Sequence, residues 1–254
     1  MKQSKIKFEE AIYKPLQAIA GAMGFNLVVT KRSKVGDYEL VSPSATYAPW
    51  LSDKLFNNSY NTIKNYTLVD KHRCYELWQL VKECTKLKGS LIEIGTWKGG
   101  SASLIAKQAQ LCGIKEKVYL CDTFTGVVKV GKEDLSYEGG EHADTSKELV
   151  EAVVHKLGVD NIEVLEGVFP DETGKLVSNK LFCFCHIDVD VYQSAKDVLN
   201  WIWDRLVIGG IVVFDDYGFE RCSGVTQLVN EERSKKDRLV IHNLNGHAIF
   251  IKLK

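Results

Sequence analysis

The sequence carries no net charge: 33 Lys and Arg residues stand against 33 Asp and Glu in 254 residues. That balance excludes the overall field that draws a protein to nucleic acid or an anionic membrane, so a small molecule is the expected partner. No apolar run approaches the ~20 residues needed to cross a bilayer. The moderately apolar stretch 16–29 follows Glu9 and Glu10, is broken by Gly21 and Gly24, and has no small-residue cleavage site. It does not read as a signal peptide. There is also no Cys-x-x-Cys pair. The cysteines (Cys74, Cys84, Cys112, Cys121, Cys183, Cys185 and Cys222) are odd in number and scattered, which suits reduced core thiols rather than a disulfide framework or a zinc site. Repeats, low-complexity tracts and long linkers are missing too. These absences leave a cytoplasmic protein of one catalytic unit with an extension, long enough to bury one substantial core. Exposed aromatics permit a homodimer without requiring one.

The texture changes near residue 89. Before it, residues 5–22 suit a helix. Residues 41–61, rich in Ser, Pro, Asn and aromatics (Tyr47, Trp50, Phe56, Tyr60), suit loops over a site. A second helix is expected over 70–87, with Tyr75, Leu77, Trp78 and Val81 on one stripe. We therefore expect an N-terminal helical extension and acceptor lid over 1–88, and a core over 89–254.

From 89 onward, short apolar runs alternate with helical periods, the sequence form of a parallel sheet covered on both faces. Strands fit 90–94, 117–121, 162–165, 181–187 and 210–214; helices fit 100–111, 146–157, 195–206 and 224–233. Thr145 with Glu148 is expected to cap the second of these helices, and Ser194 with Asp197 to begin the third. Residues 238–242 and 247–253, joined by Asn243-Leu244-Asn245-Gly246, argue an antiparallel hairpin. Five parallel strands followed by such a hairpin are the α/β arrangement expected of the class I methyltransferase Rossmann-like sheet.

In open α/β sheets, ligands sit beyond the carboxyl ends of the strands. The first strand runs into Glu93-Ile94-Gly95-Thr96-Trp97-Lys98-Gly99-Gly100-Ser101. Its glycines allow a tight turn and close ligand approach. A carboxylate beneath this loop repels a pyrophosphate but attracts the ammonium and sulfonium of S-adenosylmethionine, and Gly-x-x-x-Gly-Gly is not the dinucleotide spacing. Such turns also serve purely structural roles. The second strand ends in Asp122-Thr123-Phe124, an acid where a ribose diol would arrive; the third ends near Gly167 and Val168, whose backbone could line an adenine.

The strongest chemical signal is His186-Ile187-Asp188-Val189-Asp190 after the fourth strand, answered by Phe214-Asp215-Asp216-Tyr217 after the fifth. Consecutive strands are usually neighbours about 4.8 Å apart, so Asp188, Asp215 and Asp216 can converge. Converging carboxylates repel unless a proton or cation intervenes, and Mg²⁺ or another hard divalent cation resolves that repulsion. The competing reading makes them separate caps and loop charges. Asp190 faces away or orients the acceptor, His186 reads as a satisfied core histidine, and His142 as a solvated loop residue.

Together these motifs resemble the macrocin and mycinamicin O-methyltransferase family. The matching pieces are 93–101, 121–126, 167–171, 188–194 and 214–218, in that order. The resemblance implies metal-dependent methylation of sugar hydroxyls on natural products. By it, Glu93, Gly95 and Ser101 serve the methionine end of S-adenosylmethionine, Asp122, Thr123 and Phe124 the ribose and adenine, and Asp188, Asp215 and Asp216 bind Mg²⁺; Thr96 is also expected to bind the cofactor. Asp188 is then also the proton acceptor. Val189 replaces a common Gly and Gln193 a frequent acid. The first 60 or so residues match little, which bears on the acceptor rather than the reaction.

The implied chemistry is in-line displacement at a metal-bound hydroxyl, with alignment contributing up to ~7–11 kcal/mol. Two rivals stand beside it. Asp-x-Asp after a strand also suits a metal-dependent glycosyltransferase or phosphohydrolase, and a non-catalytic protein could bind S-adenosylmethionine alone.

Overall fold

The structure is a computed structural model that describes residues 13–24, 36–41 and 45–254. It divides into two compact units, Met1–Ser42 and Pro43–Lys254. In the first, helix α1 (Lys14–Ala22) begins with Pro15 in its first turn, where a missing N–H costs nothing, and buries no residue. Residues 5–12 of the expected helix lie outside the described residues.

The second unit opens with two helices, α2 (Lys54–Ile63) and α3 (Lys71–Glu83). The sequence reading placed 41–61 in loops; the structure corrects this for residues 54–61. Asp53 accepts the Phe56 N–H at 2.9 Å as an N-cap, and Phe56, Ser59 and Ile63 make a buried stripe. Asp70 caps α3 by accepting from the backbone of His72 and Arg73. Cys74, Leu77, Trp78 and Val81, spaced three, four and seven apart, turn the helix against the sheet.

The sheet contains β1 (Ser90–Ile94), β2 (Val118–Asp122), β3 (Ile162–Glu166), β4 (Phe182–Ile187), β5 (Leu206–Phe214), β6 (Arg238–Asn243) and β7 (His247–Lys252). Their order is β3-β2-β1-β4-β5-β7-β6, with β7 antiparallel to both β5 and β6. This is the sheet the sequence predicted. Helices α4 (Gly100–Leu111) and α5 (Lys147–Lys156) join α2 and α3 over one face, while α6 (Tyr192–Trp203) and α7 (Ser223–Glu232) cover the other. Strand residues therefore alternate between two apolar layers: Phe184 and Val213 enter one, Cys185 and Phe214 the other. Phe182, Phe184, Phe214 and Phe250 are fully buried, each stabilising by about 1.5–3 kcal/mol. Among the described residues no helix is long and apolar enough to cross a membrane.

Two expected caps are displaced. Ser146, not Thr145, caps α5 by accepting the Leu149 N–H at 3.3 Å, because the Thr145 hydroxyl is used by the Trp97 carbonyl at 2.5 Å. Helix α6 begins at Tyr192 without a side-chain cap, and Ser194 donates to the Val128 carbonyl instead.

Candidate active site

Beyond the carboxyl ends of β1, β2, β4 and β5 lies a cavity of about 480 Å³. Of the residues predicted to meet the cofactor, Gly95, Thr96, Ser101, Asp122, Thr123, Gly167 and Val168 line it. Glu93 and Phe124 do not. Glu93 is fully buried beneath the loop, where its Oε1 accepts from the Ser101 hydroxyl at 2.6 Å and its Oε2 has no hydrogen-bond partner. Phe124 turns into the apolar layer beneath α4 and α5. The Thr96 hydroxyl is likewise buried without a hydrogen-bond partner, and Thr96 lines the cavity.

Asp122 holds this end together. Its two oxygens accept backbone N–H groups from two loops, Trp97 at 2.7 Å and Phe124 at 2.8 Å. Burial raises its pKa above the usual carboxylate value despite those bonds. Over the loop, Asp144 accepts from the Trp97 indole at 2.8 Å and pairs with Lys98 at 2.6 Å. His142, read from the sequence as a solvated loop residue, lines the cavity and meets the Trp97 ring edge-on at 6.1 Å.

The acidic end gathers Asp188, Asp190, Asp215 and Asp216, all lining the cavity. Asp188, Asp215 and Asp216 each offer a carboxylate oxygen within 4.8 Å of the others. Burial and the neighbouring carboxylates push Asp188 and Asp216 well above the normal range. Asp215 behaves oppositely. Burial would raise it, but His186, His247 and the Arg73 guanidinium hold it well below. Asp190 sits at φ +65° and accepts the Tyr137 hydroxyl at 2.6 Å. Three carboxylates with unequal compensation form a donor set that fits a hard divalent cation.

Sequence reasoning missed the groups that grip Asp215. Arg73 on α3 pairs with Oδ2, and its Nε meets Asp70 at 2.8 Å; the Phe219 ring lies 4.9 Å from the guanidinium. His247 at the start of β7 approaches Oδ1 through Nε2 at 2.8 Å and Glu76 through Nδ1 at 2.5 Å. His186 is a correction. It is fully buried as expected, yet neither ring nitrogen has a hydrogen-bond partner. Glu93 and Asp215 stand 3.6 and 3.7 Å away. Burial lowers its pKa, but Asp215 and Glu93 outweigh that and lift it to about 9.

Trp50, expected in a loop over the site, packs against His72 and Tyr75 at 4.9 and 5.8 Å. The stretch ahead of β1 that reaches the cavity is Thr67, Leu68 and Val69, with Arg73 behind.

The family model described as Macrocin-O-methyltransferase (TylF) matches residues 57–251. The 8-demethyl-8-(2,3-dimethoxy-alpha-L-rhamnosyl)-tetracenomycin-C 4'-O-methyltransferase of Streptomyces olivaceus is 30% identical over 144 residues, 53% of this chain. That match spans about half, 55%, of the relative's own length. Demethyldecarbamoylnovobiocin O-methyltransferase of Streptomyces niveus is 25% identical over 186 residues, 68% of this chain and 69% of that one. The solved structure of the O-methyltransferase NovP shares the fold, with a TM-score of 0.64 at 22% identity over 74% of this chain and 83% of that one.

Proposed function

This chain belongs to the macrocin-O-methyltransferase family, and from that premise we propose that it transfers the methyl group of S-adenosylmethionine to a hydroxyl of a natural-product intermediate. A sugar hydroxyl is the preferred acceptor, a reading supported by the rhamnosyl group in the name of the Streptomyces olivaceus relative. One observation carries the reading: a single cavity is lined by both the glycine-rich loop and the aspartate cluster.

At the cofactor end, the buried and unpaired Glu93 Oε2 favours a cationic head group over a phosphate, which speaks against a nucleotide-sugar donor. Gly95 lets the loop pack against the Asp188 main chain, and Asp122, bonded to the backbone of both flanking loops, keeps them in register for a ribose. At the other end, Asp188, Asp215 and Asp216 would hold Mg²⁺ or a similar ion, which supplies a lowered hydroxyl pKa and a fixed direction of attack. Asp188 is our candidate proton acceptor, because it lines the cavity where the glycine-rich loop meets the aspartate cluster. Asp190, steadied by Tyr137, faces the same space and orients the acceptor. Thr67, Leu68 and Val69, which line the cavity ahead of β1, are our candidates for the acceptor wall.

Calorimetric titration with S-adenosylmethionine, followed by Mg²⁺, tests this directly. Saturable cofactor binding, a metal isotherm lost in Asp188→Asn, and methyl transfer to glycosylated acceptors are the expected results. Absence of cofactor binding under all conditions would overturn the proposal.

A further inference from the structure

The sheet face beneath α2, α3 and α4 is mostly apolar. Four neighbouring strands each place an ionisable group there: Glu93 on β1, His186 on β4, Asp215 just beyond β5 and His247 on β7. Glu93 is in register with His186, and the pairing of Phe214 with Ala248 brings Asp215 opposite His247.

The two histidines are used alike. Each directs Nε2 at the same atom, Asp215 Oδ1, at 2.8 Å from His247 and 3.7 Å from His186. Each turns Nδ1 towards a carboxylate, Glu76 at 2.5 Å for His247 and Glu93 at 3.6 Å for His186. Both rings are fully buried. His247 thus faces an acceptor at each nitrogen, whereas a neutral imidazole has a single N–H to give. His186 has no hydrogen bond at all, an expensive condition for a buried ring.

A metal ion removes both difficulties. Two ligands of a tetrahedral ion bound at about 2.0–2.1 Å stand about 3.3 Å apart, a value bracketed by the two observed separations. The ligand atoms of His186, Asp215 and His247 all fall within 4.8 Å of one another. An imidazole backed by a carboxylate on its far nitrogen is the usual support of a metal-binding histidine. His247 has that support from Glu76, and Glu93 stands on the corresponding side of His186 at 3.6 Å. Charge argues the same way, since Glu76, Glu93 and Asp215 meet at the histidines with Arg73 as the fixed cation touching Asp215.

We propose that His186, His247 and Asp215 form a buried site for a borderline divalent ion such as Zn²⁺ or Co²⁺. Two imidazoles and one carboxylate select such ions over Mg²⁺, which prefers oxygen alone. The site is separate from the oxygen donors Asp188 and Asp216 and shares only Asp215 with the metal set proposed above. It does not depend on methyl transfer. Its ion would pin β7 to β4 and β5 and fix the direction of Asp215 from behind.

The test is a titration of the full chain, stripped with a chelator, with Co²⁺ in the absence of S-adenosylmethionine, followed by visible ligand-field absorption. One equivalent should give an intense band of tetrahedral type, displaced by Zn²⁺ but not by excess Mg²⁺. His247→Gln should weaken Co²⁺ binding by more than about tenfold. Asp188→Asn with Asp216→Asn should leave the band in place. No band in the wild-type chain, or one that Mg²⁺ displaces, overturns the proposal even where His247→Gln fails to fold. A band that survives His247→Gln but vanishes with Asp188→Asn and Asp216→Asn also overturns it. S-adenosylmethionine binding, measured separately by calorimetry, distinguishes failure here from failure of the methyltransferase reading.

Discussion

Gly95 lies against the main chain of Asp188: a Cβ at Gly95 would fall 1.6 Å from the Asp188 carbonyl oxygen. Asp188 in turn donates its N–H to the Ile94 carbonyl at 2.9 Å. The loop proposed for the cofactor and the strand end carrying the first aspartate therefore touch backbone to backbone, and neither moves without the other.

Gly95→Ala should consequently impair both halves at once. The residue has φ +90°, and the obstructing atom is backbone rather than a flexible side chain. We expect a stability loss of a few kcal/mol in urea denaturation, with cofactor and metal binding weakened together. An unchanged midpoint with normal binding of both would contradict the contact.

Asp122 is placed to organise loops as well as to meet a ribose. Asp122→Asn keeps one acceptor for the Trp97 and Phe124 amides, whereas Asp122→Ala removes both. Cofactor affinity should fall by more than about tenfold in the alanine variant, consistent with loss of hydrogen bonds to a charged group, and by less in the asparagine variant. Equal affinities in calorimetry would assign Asp122 no part at this end.

Asp144 joins Trp97 and Lys98 from outside the cavity. Asp144→Ala should leave the thermal midpoint nearly unchanged, because the carboxylate is exposed, while weakening cofactor binding a few-fold and accelerating its release. Stopped-flow release rates equal to those of the wild type would refute this.

Acid sensitivity is expected at Asp237, away from the site. It accepts from Arg238 at 2.7 Å and from the Trp203 indole at 2.7 Å, and these interactions hold its pKa below the usual value. A depressed folded-state pKa stabilises above the unfolded value near about 3.9, and that stabilisation fades as pH falls through the folded value. At pH 7, Asp237→Asn should cost about 1 kcal/mol, discounted for partial exposure. The difference from wild type should narrow below about pH 4. A gap that widens in acid would reverse the assignment.

The sheet was readable because buried strands announce themselves as apolar runs, and their carboxyl ends identify the residues that meet a ligand. Gly95, Asp122, Asp188, Asp215 and Asp216 follow from that rule, and all five line the cavity. Helix α2 was not. Asn57, Asn58, Ser59, Asn61 and Thr62 have weak helix propensity, and packing of Phe56 and Ile63 overrides it. Arg73, Glu76 and His247 carried no local signal, because their roles arise only when α3 and β7 arrive at Asp215. The cap at Ser146 was missed by one position for a similar reason: a distant carbonyl claims the Thr145 hydroxyl. His186 looked like core because it alternates with apolar neighbours; its unmet bonding is a property of three dimensions.

The grip on Asp215 bears on how the chain folds. Arg73 and Asp215 are 142 positions apart, and Glu76 and His247 are 171 apart. Such contacts reward the chain only after long loops have closed, so they belong to the late part of folding. Until β7 docks, Asp215 has Arg73 and His186 beside it but lacks His247. The final hairpin thus completes the surroundings of Asp215 last, and the site is finished only when the fold is.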